Sequence, residues 1–99
     1  MRRAEQDALR EMLKEERVAR ALTAKDVSLK LRLHSTYISR VERGYRTVDV
    51  IEVIDILEAI GAEPKSFFLR FLDRTWRRPG KSDPRIEDPV LEQRRSEGS

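Results

Sequence analysis

The chain has 99 residues, 39% charged and 38% hydrophobic, with a formal net charge of +3. That length suits one domain, and so high a charged fraction limits the core to something compact and helical. With no cysteine, disulfide staples, thiolate nucleophiles and zinc–thiolate centres are excluded, and no apolar run approaches a membrane span or a signal-peptide core.

The pattern predicts an all-α chain of five helices. Ala4 to Leu22 places apolar residues at 8, 9, 12, 13 and 19 among good helix formers, which reads as a first helix. Thr23 opens a second, with Asp26 three residues on as a weak capping box and Val27 and Leu31 as core positions; the pattern breaks near Arg32. Ser35 reads as the cap of a third helix carrying Tyr37, Ile38 and Val41, and Gly44 as its left-handed terminus. Thr47 is expected to cap a fourth, with Val50, Ile51, Ile54, Leu57 and Ile60 on one side and Asp49, Glu52, Asp55 and Glu58 on a solvated opposite side. Gly61 ends it, and Pro64 sits in the first turn of a fifth helix running through Phe67, Phe68 and Phe71 towards Trp76. Beyond Arg77, three prolines and balanced charge predict a flexible C-terminal tail over 78–99, leaving 4–77 as the domain.

The charge is not spread evenly. Thr23 to Thr47 holds six Lys/Arg against Asp26 and Glu42, a net +4, whereas Val48 to Ile60 holds four acids and no base, a net −4. From Arg78 to Ser99 five bases balance five acids. A concentrated positive stretch is the footprint of contact with phosphate.

That stretch is also where the motif lies. LTAKDVSLKLRLHSTYISRVERG, Leu22 to Gly44, reads as two short helices across a tight link. Val27, Leu31, Leu33, Ile38 and Val41 are spaced to clamp them at a steep angle, and Ser28 is small at their closest approach. With YISRVERG and the following RTVDVIEVIDILEAIGAEP, the chain from about Leu13 to Phe68 resembles the Cro/lambda-repressor-type (XRE) helix-turn-helix regulators. The resemblance implies a lambda-repressor-like five-helix bundle that binds double-stranded DNA and regulates transcription. It covers phage repressors, antitoxins and restriction-system controllers alike.

Carried over residue by residue, the resemblance implies a structural salt bridge between Arg17 and Glu42. Ser35, Thr36 and Arg40 fall where the family reaches base edges; Arg suits guanine O6 and N7, and Ser or Thr serves as donor or acceptor. Thr23, Arg32, Tyr37, Arg43 and Arg46 are the expected backbone contacts. Tyr37 is read either as facing DNA or as packing inward. The chain departs from the family at Ala24, where Gln is usual, and at Arg32, where Gly is usual because φ is positive. Either Arg32 gains a phosphate contact in that conformation or the turn tolerates it.

His34, the single histidine, reads as a turn or capping residue, and no metal or other cofactor is expected. Four scattered glycines, one His and no Cys leave nothing from which to build a catalytic centre or a small-molecule substrate site. Leu69, Leu72 and Trp76 exceed what the core needs and are expected to form a homodimer seam. The partners expected are therefore double-stranded DNA and a second copy, in the cytoplasm of a bacterial or phage-type system. The alternative is an interaction module, binding a toxin or an activator, with DNA binding secondary.

Overall fold

The structure, a computed structural model, describes residues 4–76. It contains α1 (Ala4–Ala19), α2 (Ala24–Lys30), α3 (Tyr37–Glu42), α4 (Val50–Ile60) and α5 (Pro64–Trp76), and no strand among the described residues. The five expected helices are present; the tail expected over 78–99 lies outside the described residues.

The first four helices end in one way, set by short-range backbone bonds. A residue of positive φ follows each helix, and the N–H after it reaches back five residues to a carbonyl: Leu22 to Arg17, Leu33 to Ser28, Tyr45 to Arg40, Ala62 to Leu57. This closure satisfies carbonyls that the helix leaves orphaned, and glycine adopts it most easily. Gly44 (φ 83°) and Gly61 (φ 94°) do so without strain, whereas Ala21 (φ 59°) and Arg32 (φ 62°) hold the same conformation with a Cβ.

Helix starts are set by side chains. Thr23 and Asp26 form a complete capping box on α2, and Asp49 with Glu52 forms another on α4. The second corrects the expectation that Thr47 caps α4: the reciprocal Asp49–Glu52 bonds, 2.8 and 2.9 Å, start the helix two residues later. Helix α3 departs from expectation too, because Thr36 rather than Ser35 is its N-cap residue and its side chain caps nothing. The partner comes from α2: the buried Ser28 hydroxyl donates to Ala24 O (2.8 Å) and accepts the Ile38 N–H (3.0 Å).

The core gathers Met12 and Leu13 of α1, Val27 of α2, Tyr37, Ile38 and Val41 of α3, Val53, Ile56, Leu57 and Ile60 of α4, and Phe67 of α5. Helix α1 packs on α3, α4 and α5, while α2 packs on α3 and α4. Phe67 is fully buried and meets Phe68 edge-on, with centroids 5.6 Å apart.

The buried side of α4 differs from the expected one. Val50 and Ile51 are 62% and 65% exposed, and the core side runs Val53, Ile56, Leu57, Ile60. Apolar residues encircle much of this helix, so periodicity alone leaves its rotation open; packing on α1, α2 and α5 decides it. Leu33 likewise stands out at 43% exposed rather than clamping the two helices, with only Leu31 of that link partly buried on the core.

Two stability predictions follow from these contacts. Ser28→Ala leaves the buried Ile38 N–H unpaired and lowers unfolding free energy by about 1–3 kcal/mol in urea titration. Arg32→Gly and Ala21→Gly each relieve a left-handed Cβ and raise it by about 1 kcal/mol, while Gly61→Ala lowers it by a similar amount.

Candidate nucleic-acid interface

The orientation of α3 is fixed at both ends. At its start, Ser28 ties the Ile38 N–H to α2. At its end, Arg17 of α1 grips Glu42 with two hydrogen bonds, Nε to Oε2 at 2.7 Å and Nη2 to Oε1 at 2.9 Å. A third bond from Arg17 Nη1 to the Leu22 carbonyl, 2.7 Å, joins the same guanidinium to the link before α2. Both side chains are only 11–12% exposed, and the Glu42 hydrogen bonds raise the Arg17 pKa above the ordinary arginine value. The one carboxylate of α3 is thereby neutralised, which matters for a surface that must approach phosphate.

The outward side of α3 borders an open cleft of about 350 Å³ lined by His34, Thr36, Tyr37, Arg40 and Arg46. Thr36 and Arg40 are exposed there, and Ser35 beside them is half-buried. Thr23, Arg32 and Arg43 are exposed but do not line the cleft. Among the described residues no carboxylate pairs with Arg32, Arg40 or Arg43. The hydroxyl of Thr23 accepts the Asp26 N–H at 2.9 Å and is engaged with the Asp26 carboxylate in the capping box of α2.

Tyr37 belongs mainly to the core. It is buried, packed on the α4 side beside Leu31 and Ile56, and burial pushes its phenol above the ordinary tyrosine value. Arg46 lies over its ring at 4.9 Å from the centroid and pairs with Glu52 at 3.0 Å. Glu52 is thus no part of a purely solvated acidic side: it serves a cap and an ion pair at once. The sequence carried no signal for this Arg46–Tyr37–Glu52 group beyond the charges themselves.

The lone histidine sits in the turn before α3. His34 Nδ1 accepts the Thr36 N–H at 3.2 Å and lies 3.0 Å from Thr36 Oγ1. No group of His, Cys, Asp and Glu suited to a metal occurs among the described residues. Leu69, Leu72 and Trp76 stand exposed along α5 at 56%, 46% and 42%, on the side away from Phe67.

A short helix pinned across another, with its exposed side basic and its carboxylate paired, defines a helix-turn-helix DNA-binding domain. A family model described as Helix-turn-helix matches residues 13–67. An XRE-family like protein from Pseudomonas syringae pv. tomato str. DC3000 superposes with a TM-score of 0.69 at 30% identity, covering 73% of this chain and 88% of that one. The chain belongs to the XRE-type helix-turn-helix family, whose domain is a regulatory DNA-binding fold. No curated protein matches it. No helix among the described residues is long and apolar enough to cross a membrane.

The Arg17–Glu42 geometry makes a double-mutant test direct. Arg17→Met strands a largely buried carboxylate and costs about 3 kcal/mol of unfolding free energy; adding Glu42→Leu recovers most of that loss.

Proposed function

We propose that this chain is a sequence-specific, double-stranded-DNA-binding transcriptional regulator that reads a palindromic operator as a homodimer. The observation that carries the reading is the partition of charge on the two helices. Glu42 is consumed by Arg17, while Arg32, Arg40 and Arg43 have no carboxylate partner among the described residues. In this reading the segment 35–43 enters the major groove, with Ser35, Thr36 and Arg40 on base edges. Thr23, Arg32 and Arg43 take phosphates on either side, with Arg46 and the Tyr37 hydroxyl at the margin.

The exposed Leu69, Leu72 and Trp76 supply the seam for a second copy. Spaced three and four residues apart, they form one stripe on α5. A two-fold pair would offer two recognition segments about 34 Å apart, one turn of duplex.

A second reading, a protein-interaction module with DNA binding secondary, draws on the exposed Val50 and Ile51 and on Ala24 in place of a polar residue. The two readings part in a binding titration. Selection from random duplex DNA should enrich a palindrome, and log affinity for it should fall linearly with log salt. Arg43→Ala should reduce that slope by about 1 per subunit while weakening all sequences alike. Arg40→Ala should cost about 1–3 kcal/mol on the selected site alone. Salt-independent binding, or no enrichment, would favour the interaction module.

A further inference from the structure

The pairing of His34 with Thr36 settles a question that a threonine normally leaves open: whether its hydroxyl offers a proton or a lone pair. The Thr36 backbone N–H points at His34 Nδ1 from 3.2 Å. A backbone N–H can only donate, so Nδ1 must carry the lone pair and the neutral ring keeps its proton on Nε2. Thr36 Oγ1 lies 3.0 Å from the same nitrogen. With Nδ1 as the acceptor, that oxygen can only be the donor of the pair, its proton sharing the one Nδ1 lone pair with the Thr36 N–H.

We infer that His34 is a positioning residue that biases the Thr36 hydroxyl towards accepting from DNA, so that Thr36 selects a base bearing an exocyclic amine. In the major groove that means adenine N6 or cytosine N4; guanine O6 and N7 and thymine O4 present lone pairs and are rejected. Arg40, on the same cleft, has donors only and reads the opposite pattern. The two side chains therefore demand an amine and an acceptor at neighbouring places on the operator, a combination that an unconstrained hydroxyl does not specify. His34 itself touches no base in this account.

The inference rests on the reading of segment 35–43 as the base-contacting element, and the experiment separates the two. Duplexes are first selected with the full chain, and Thr36→Val marks the position that depends on the hydroxyl. The base there is then replaced by its amine-free counterpart, purine for adenine or 2-pyrimidinone for cytosine, and affinity is read by fluorescence anisotropy. The native chain should lose about fivefold in affinity, one hydrogen bond's worth. His34→Asn, whose amide oxygen can accept the same hydroxyl proton, should keep that loss. His34→Ala should shrink it to about twofold or less and admit guanine or thymine, because the hydroxyl is free to turn and donate. Both residues are exposed, so these variants should fold, and thermal melting checks that they do. Long-range 1H–15N spectra of the free protein should show His34 as the Nε2–H tautomer.

Indifference of the native chain to the amine, an unchanged loss in His34→Ala, or an Nδ1–H tautomer would each overturn the assignment alone. Enrichment of no sequence by the native chain would overturn both it and the reading beneath it.

Discussion

The Ser28 hydroxyl occupies a point where two requirements meet. Helix α3 is six residues long, so its first N–H groups are a large part of its backbone bonding, and its own N-cap residue offers them nothing. Ser28 supplies the missing acceptor from inside α2 and returns its own proton to the Ala24 carbonyl one turn back. One hydroxyl thus caps α3 from within α2 and ties the two helices together at a buried point. A larger side chain would push them apart, and a smaller one would leave a buried donor unpaired. With the Arg17–Glu42 pair at the far end of α3, that contact sets the direction of what the helix presents outward, Arg40 included.

Charge around the same helix is arranged so that the carboxylate of α3 itself is paired with a cation. The stretch from Thr23 to Thr47 carries +4, but its distribution matters more than its sum. Arg17, from outside the stretch, absorbs Glu42; Asp26 is held in a capping box, where bonds from Thr23 keep its carboxyl below the usual aspartate range. Glu42 is therefore paired with a cation and Asp26 stays an ionised, exposed cap, while Arg32, Arg40 and Arg43 have no carboxylate partner among the described residues. On α4, Asp49 and Glu52 cap the helix and keep their charge, and Glu52 also pairs with Arg46.

Most of this organisation was legible because it is encoded locally. Thr23 with Asp26, Gly44 and Gly61 are short-range signals, and the clamp residues Val27, Ile38 and Val41 repeat at helical spacing. The Arg17–Glu42 pair, 25 residues apart, was accessible only through resemblance. What escaped the sequence was decided by tertiary context. The rotation of α4 is ambiguous because Val50, Ile51, Val53, Ile54, Ile56 and Leu57 surround the helix, and only neighbouring helices choose among them. The left-handed Ala21 carries no glycine to announce it. Ser35 looked like a cap because nothing in the sequence says that the cap of α3 comes from ten residues upstream.

Arg46 shows how far pairing alone can be taken as evidence. It lies over Tyr37 and bonds Glu52, so a phosphate reaching it would have to displace that carboxylate or share the guanidinium with it. The pair is solvent-accessible, with side chains 47% and 33% exposed, and such pairs contribute only about 0–1 kcal/mol. Exchanging a carboxylate for a phosphate is therefore close to balanced, whereas Arg40 and Arg43 have no carboxylate among the described residues to give up. The cations around α3 differ in what they must surrender before they bind. Arg46 is the one whose engagement is coupled, through Glu52, to the start of α4. A contact at the DNA surface would in this way be felt at the capping box of the next helix, on the side of the domain where Val50 and Ile51 stand exposed.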